Sequence, residues 1–139
     1  ERGSERMRIN RGRIEGEPSD RRGPTFTGEV WAEPLLKADG VTVNTVFFPP
    51  GARTHWHTHD GGQILLVTHG RGFAISDAGD GGPIQAGDVV WFEPGERHWH
   101  GAGPETYLTH VAISLGGHDW QDPVTDEQFQ AAIDAAADY

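Results

Sequence analysis

The chain has 139 residues, no cysteine and a net charge of −10, so disulfide bonds and thiolate metal sites are excluded. Residues 1–24 hold seven of the eleven basic side chains and five of the twenty-one acidic ones, which leaves residues 25–139 with a net charge of −12. A body this acidic repels phosphate backbones and anionic lipid, so we predict neither a nucleic-acid nor a membrane partner. No run is apolar enough for a signal peptide or a membrane span, and we expect a cytoplasmic protein.

This length suits one ordinary domain, and we predict a charged N-terminal arm over residues 1–24 followed by one domain over residues 25–139. From residue 25 to 115, short runs rich in Val, Ile, Phe, Trp and Thr are separated by Gly, Pro or Asp, a pattern typical of an all-β sandwich or barrel. The predicted strands are residues 27–31, 41–48, 52–58, 63–69, 71–76, 82–85, 88–92, 98–101 and 106–114.

One helix is predicted, near the C-terminus. Thr125 and Gln128 have the spacing of a capping box, and Val124 can pack on Phe129 as a hydrophobic staple. We expect this helix to pack on the outside of the β-domain.

Histidines are concentrated in the middle of the chain. His55, His57 and His59 alternate in a predicted strand, so their side chains share one face. Gln63 begins the next strand after a Gly-rich turn, and His98 begins another about 35 residues later. Imidazoles with an amide oxygen suit a divalent Mn, Fe, Co, Ni or Zn ion.

Two segments carry a family resemblance. Residues 51–70, GARTHWHTHDGGQILLVTHG, resemble the first cupin motif, and residues 87–98, GDVVWFEPGERH, resemble the second. The resemblance implies an antiparallel jelly-roll β-barrel whose metal ligands are His57, His59, Gln63 and His98. Most cupins carry Glu where this chain has Gln63, and the neutral amide leaves the ion its full 2+ charge, which favours binding of an anion.

Within the cupins, the chain most resembles small single-domain manganese proteins, some of which act as hydroxynitrile lyases. The matching segments are PGART (50–54), WHTH (56–59), GDVVWF (87–92), PGE (94–96), HWHGA (98–102), LTHVAI (108–113) and VTDEQ (124–128). This likeness implies one divalent ion per chain, with Mn expected first, Fe next, and Zn, Ni or Co as further options. It implies His110 as the catalytic base, and pocket positions at Asn44, Val46, His100 and Ser114.

We therefore predict a metal-dependent lyase for a small organic substrate, with cyanohydrin cleavage as the family precedent. Two alternatives stay open: a metal-dependent dioxygenase or other oxidoreductase, which would consume oxygen, and a non-catalytic cupin that binds a small molecule. We expect a homodimer or higher homo-oligomer, with the arm exchanged between subunits as one option.

Several prominent residues have plainer interpretations. His110 and His100 are equally consistent with buried, satisfied imidazoles in the last strands. The remaining assignments are structural or exposed positions for His55, His69 and His118, core or subunit-interface packing for Trp56, Trp91 and Trp99, and surface charges for Arg53 and Arg97.

Overall fold

The structure is a computed structural model that describes residues 7–137. Within that range the elements are β1 (Asp20–Arg21), β2 (Phe26–Thr27), β3 (Trp31–Ala38), β4 (Val41–Phe48), β5 (Arg53–Thr54), β6 (His57–His59), β7 (Gln63–Ser76), β8 (Gly81–Gln85), β9 (Val89–Phe92), β10 (His98–Ala102), β11 (Leu108–Leu115), β12 (His118–Trp120) and α1 (Asp126–Ala136). No helix in it is long and apolar enough to cross a membrane.

All strand pairs are antiparallel, and they form two sheets joined by the long strand β7. The first part of β7 pairs with β11 and β9, and the order β1-β3-β4-β11-β7-β9 defines the front sheet. The second part of β7 pairs with β10 and β8, and the back sheet adds β5, β2, β6 and β12. The predicted all-β jelly roll with a short C-terminal helix is confirmed.

The main core fills the space between the two sheets. Successive side chains of a strand point to opposite faces, so every second side chain points into this space. Phe48, Leu65 and Leu108 are completely buried there. A second apolar cluster lies behind the back sheet, where Trp99 and Phe73 pack against Phe129 of α1.

The helix begins as predicted. Thr125 caps it, the side chains and backbones of Thr125 and Gln128 form a reciprocal capping box, and Val124 lies in the same apolar cluster as Phe129. Arg53, predicted as a surface charge, is instead buried beneath α1. Its guanidinium lies over the Phe129 ring, donates to the carbonyl oxygen of Val124 and pairs with Asp126 at 2.9 Å.

Residues 7–24 lie against β3 of the same chain, whereas residues 1–6 of the predicted arm fall outside the described range. Asn10 Nδ2 donates to the Leu35 carbonyl at 2.6 Å, and the Ile14 amide donates to the Pro34 carbonyl at 2.9 Å. The Arg13 guanidinium pairs with Glu33 at 2.9 Å. Further along the arm, Glu17 and residues 20–24 lie at the open end of the domain and form part of a cavity wall.

Candidate metal centre

A cavity of about 760 Å³ opens between the two sheets. This volume lies within the range of small-molecule sites. Its wall includes the predicted ligands His57, His59 and Gln63, the predicted base His110, and all four predicted pocket residues, Asn44, Val46, His100 and Ser114. The remaining predicted ligand, His98, is fully buried behind Gln63, with which it is in contact.

Backbone hydrogen bonds orient two of the imidazoles. The Nδ1 atom of His57 lies 2.8 Å from the carbonyl oxygen of His55, and Nδ1 of His98 lies 2.9 Å from that of Glu96. A carbonyl oxygen only accepts, so each Nδ1 is the protonated nitrogen in these contacts. Both rings therefore offer the lone pair of Nε2, the arrangement that metal-binding histidines adopt.

Gln63 and His98 place two acceptor atoms together. Gln63 Nε2 donates to the Ser114 hydroxyl at 2.9 Å, which turns Oε1 toward His98 Nε2 at 3.0 Å. Because neutral His98 already gives its proton to Glu96, this contact brings two lone pairs together with no hydrogen between them. Adjacent ligands on an octahedral ion with bonds of about 2.1 Å are also about 3.0 Å apart, so the pair fits a shared cation.

His59 is a buried imidazole that lacks hydrogen-bond partners in the described part of the chain. Its ring centroid lies 5.0 Å from that of His57 and 5.8 Å from that of His98. Neither ring nitrogen has a hydrogen-bond partner among residues 7–137. An unsatisfied buried imidazole is costly, and coordination of a metal would satisfy it.

His100 and His110 form a second histidine pair deeper in the cavity. His110 Nε2 lies 3.0 Å from His100 Nδ1, while His110 Nδ1 and His100 Nε2 have no partner in the described part of the chain. One ligating nitrogen from each of His57, His98 and His100 lies within 4.8 Å of the others. The structure therefore brings His100 close enough to be a metal ligand, a role that the sequence did not indicate.

Five buried histidines at the site, His57, His59, His98, His100 and His110, favour the neutral form. Burial lowers the pKa of His59 and of His110 to about 4 and that of His98 to about 3. Burial, followed by the positive charge that neighbouring histidines would carry, lowers the pKa of His57 and His100 well below 6.5. Neutral imidazoles are the form that binds metal ions, so the donor set is ready near neutral pH.

Aromatic rings pack against two of the predicted ligands, His57 and His98. Phe92 stacks on His98 with ring centroids 3.5 Å apart, and Trp120 lies 4.3 Å from His57. Phe26 packs against Trp120 at 5.3 Å, and both rings are half-buried and line the cavity. The sequence did not single out Phe92, Trp120 or Phe26, since an aromatic residue in a short strand gives no sign of which neighbour it packs on.

The other histidines and tryptophans have varied surroundings. The ring of His55 is half-buried, His69 is exposed, and His118 is exposed at the cavity rim, 6.4 Å from His59. Trp56 and Trp99 are core residues, whereas Trp91 remains 47% exposed. The half-buried Arg97 lies over the Trp56 ring, and its Nε donates to the Gln121 amide oxygen at 2.7 Å.

Comparison with known proteins identifies the family. Residues 44–111 match the family described as Cupin domain. A curated protein named (R)-mandelonitrile lyase, from Granulicella tundricola, is 49% identical over 124 residues, and the alignment covers 83% of this chain and 95% of that protein. The chain belongs to the cupins.

Solved cupin structures have the same architecture. A cupin-like protein of Thermotoga maritima is 39% identical, with a TM-score of 0.79 over 85% of this chain and 96% of its own. A predicted oxalate decarboxylase of the same organism has a TM-score of 0.67 at 24% identity, covering 79% of this chain and all of its own, and this likeness shows the fold alone. The resemblance stated from the two histidine motifs is confirmed.

Proposed function

We propose that this cupin is a metal-dependent lyase that cleaves a cyanohydrin, with His57, His59, Gln63 and His98 holding the ion and His110 acting as base. The main support is the 49% identity, over most of both chains, to the protein named (R)-mandelonitrile lyase. The cavity adds chemical support, because His59, His100 and His110 are buried and have ring nitrogens without a hydrogen-bond partner among the described residues.

The cavity suits an aryl cyanohydrin. Phe26 and Trp120 provide an apolar, aromatic wall beside His57, and Val46 and Ala112 continue it on the front sheet. Asn44 and Ser114 add polar groups that can orient a hydroxyl or nitrile. A phenyl ring stacked on the aromatic wall would place the functional carbon toward the histidines.

A divalent ion held by four neutral ligands keeps its 2+ charge and would stabilise negative charge on the substrate oxygen or on cyanide. His110 accepts the substrate hydroxyl proton. The oxygen electron pair forms the carbonyl as the carbon–nitrile bond breaks, and cyanide leaves with the bonding electrons. The protonated His110 then gives its proton to cyanide, so the products are an aldehyde or ketone and HCN.

His110 is suited to this proton transfer because it is neutral and buried. Burial lowers its pKa to about 4, so it is in the base form near neutral pH but is a weaker base than a free imidazole, and a bound divalent ion would have to acidify the substrate hydroxyl for the transfer. The contact with His100 Nδ1 fixes the ring orientation. These features support a reaction that uses His110 as its single proton-transfer group.

The test is cyanide release from mandelonitrile by protein loaded with Mn, and separately with Fe, comparing wild type with His110→Gln and with His69→Ala as a surface control. We expect His110→Gln to retain metal and fold but to lose about 100-fold or more in turnover. The control should match wild type. Loaded wild type without cyanide release would reject the lyase proposal, and oxygen uptake by it would favour an oxidoreductase.

A further inference from the structure

The opening of the cavity carries basic side chains in a chain that is otherwise acidic. Among its Lys, Arg, Asp and Glu side chains, the cavity wall has three basic residues, Arg21, Arg22 and Lys37, and two acidic ones, Glu17 and Asp20. Basic groups therefore exceed acidic groups by one at this wall, whereas the whole chain has a net charge of −10. A positive patch at the mouth of a cavity attracts small anions and raises their local concentration.

Strand register turns Arg22 toward the cavity. Arg21 pairs with Trp31, which is 44% exposed, and the Arg22 amide donates at 2.7 Å to the carbonyl of Val30, which is completely buried. Residues paired across antiparallel strands point to the same face, so Arg22 lies on the inner side with Val30 and Arg21 on the outer side with Trp31. The exposures of the two arginine side chains agree, at 35% for Arg22 and 61% for Arg21.

Arg22 is only loosely paired with a protein carboxylate. Its Nε lies 3.4 Å from Asp20 Oδ1, longer than an ordinary N–H···O hydrogen bond, and the Asp20 side chain is 53% exposed. Lys37 at the same opening is held more closely, with Nζ 2.8 Å from Glu17 Oε1. An exposed, long ion pair contributes little, so the guanidinium can exchange Asp20 for a ligand carboxylate, which its planar fork suits.

Aromatic rings connect Arg22 with the histidines along the wall. The amide of Phe26 donates to the carbonyl of Gly23 at 3.1 Å, so a tight turn separates Arg22 from Phe26. The Phe26 ring packs on Trp120 at 5.3 Å, and Trp120 lies 4.3 Å from the His57 ring. The wall therefore leads from a guanidinium, past two aromatic rings, to a predicted metal ligand.

We propose that Arg22 binds a carboxylate at the far end of the substrate, so that the substrate class is a cyanohydrin that also carries a carboxylate. The apolar body of such a molecule would lie along Phe26 and Trp120, with its reacting carbon toward the histidines. This inference deepens the proposed function and rests on it for the reaction. The contact between Arg22 and a carboxylate, however, can be measured without turnover.

Calorimetry with unreactive analogues tests this contact. The compounds p-(hydroxymethyl)benzoate and p-(hydroxymethyl)benzamide have nearly the same shape and differ in charge, and each is titrated into Mn-loaded protein. We expect wild type to bind the benzoate about 10-fold more tightly than the benzamide, and Arg22→Gln to lose this preference. Arg11→Gln makes the same change of charge at an exposed arm position outside the cavity wall and should keep the preference.

Three results of the calorimetry overturn the proposal. Wild type that binds the two analogues equally has no carboxylate site in its cavity. A preference for the benzoate that survives in Arg22→Gln places the carboxylate elsewhere, with the metal ion as the obvious partner. Loss of the preference in Arg11→Gln as well would mean that the net charge of the arm, and not a contact with Arg22, attracts the anion.

Cyanide release separates this inference from the lyase proposal. With p-carboxymandelonitrile and p-carbamoylmandelonitrile as substrates, Arg22→Gln should raise KM about 10-fold for the carboxylate relative to the carboxamide, with kcat little changed, because the contact is made in ground and transition states alike. Cyanide release with no such dependence on Arg22 leaves the lyase proposal standing and rejects the carboxylate site. An Arg22-dependent preference in calorimetry without any cyanide release does the reverse.

Discussion

Single hydrogen bonds decide which atoms of this site can bind a metal. Gln63 presents its oxygen to the centre while its Nε2 donates to the Ser114 hydroxyl at 2.9 Å, which holds the amide in place. The carbonyls of His55 and Glu96 do the same for His57 and His98. Groups that orient ligands in this way commonly tune metal affinity by 10–100-fold.

Removing the Ser114 hydroxyl should therefore weaken the metal site without removing a ligand. We predict that Ser114→Ala lowers Mn affinity by about 10-fold or more, measured by competition with a chelating dye. Ser114→Thr keeps the hydroxyl and should stay close to wild type. Equal affinities in all three proteins would show that Ser114 does not orient Gln63.

Two donor sets are possible, and one pair of variants separates them. The cupin motif assigns His59 to the ion, whereas His100 has a nitrogen within 4.8 Å of those of His57 and His98. We predict that His59→Ala loses stoichiometric metal and that His100→Ala retains it, because neither ring nitrogen of His59 has a hydrogen-bond partner among residues 7–137, whereas the ring of His100 is held by its hydrogen bond with His110. The reverse result, read by metal analysis after dialysis, would replace His59 with His100 in the donor set.

Motif spacing was sufficient to predict that His57, His59 and Gln63 lie together, because alternation in a strand and the return of a hairpin are local rules. It could not reveal the His100–His110 contact, which depends on how β10 and β11 face each other across the cavity. The Ser114 hydrogen bond is likewise absent from any local pattern, since its residues are 51 positions apart.

At the scale of elements, β7 holds the two sheets together, and Gly70 allows it to do so. Gly70 has φ +81°, and a Cβ there would collide with the carbonyl oxygen of Tyr107. The sequence predicted a break at this glycine, but the strand continues through it with close backbone approach. Gly87 also has a positive φ, +97°, but a Cβ added there would meet open space. A side chain at Gly87 would therefore strain the backbone dihedral without a steric clash.

The difference between Gly70 and Gly87 predicts that alanine lowers the free energy of unfolding by different amounts at the two positions. Gly87→Ala should lower the free energy of unfolding by about 1–2 kcal/mol, the cost of a positive φ in a residue with a Cβ. Gly70→Ala should cost clearly more, about 3 kcal/mol or above, because backbone must also move. Urea unfolding of both variants checks this, and equal losses of unfolding free energy would mean that the backbone at Tyr107, just before β11, moves away freely.

Most strands were predictable from apolar runs bounded by turn residues, and the helix was predictable from its capping box. Strand β3 was not, because Pro34 lies in its middle and reads as a breaker. It is accommodated at a register shift against β4. The predicted strand over 52–58 is also interrupted at His55 and Trp56, and the three-residue β12 exists only because β6 pairs with it. These features depend on tertiary pairing, which sequence periodicity does not report.

At the scale of the whole molecule, neutral buried histidines make stability depend on pH. Their folded-state pKa values lie below 6.5, at about 4 for His59 and His110 and about 3 for His98. The unfolded chain therefore binds more protons between pH 6.5 and about 4, so stability is full above pH 6.5 and falls as the pH drops through that window.

We predict that metal-free protein loses on the order of 1–2 kcal/mol of unfolding free energy for each of His59, His98 and His110 between pH 7.5 and pH 5. Urea titrations at the two pH values measure the loss. His110→Gln removes one such group and should show a smaller loss than wild type, whereas replacing exposed His69 with Ala should not change it. A stability that rises toward pH 5 in wild type would contradict the neutral assignment.

Metal content decides whether the buried histidines and Gln63 hold an ion. Plasma mass spectrometry on tag-free protein, with His98→Ala and the exposed-site control His69→Ala prepared in parallel, should find about one divalent ion per chain in wild type and in the control, and none in His98→Ala. Absence of stoichiometric metal from wild type after growth and dialysis with Mn or Fe, or equal metal in all three proteins, would contradict the account.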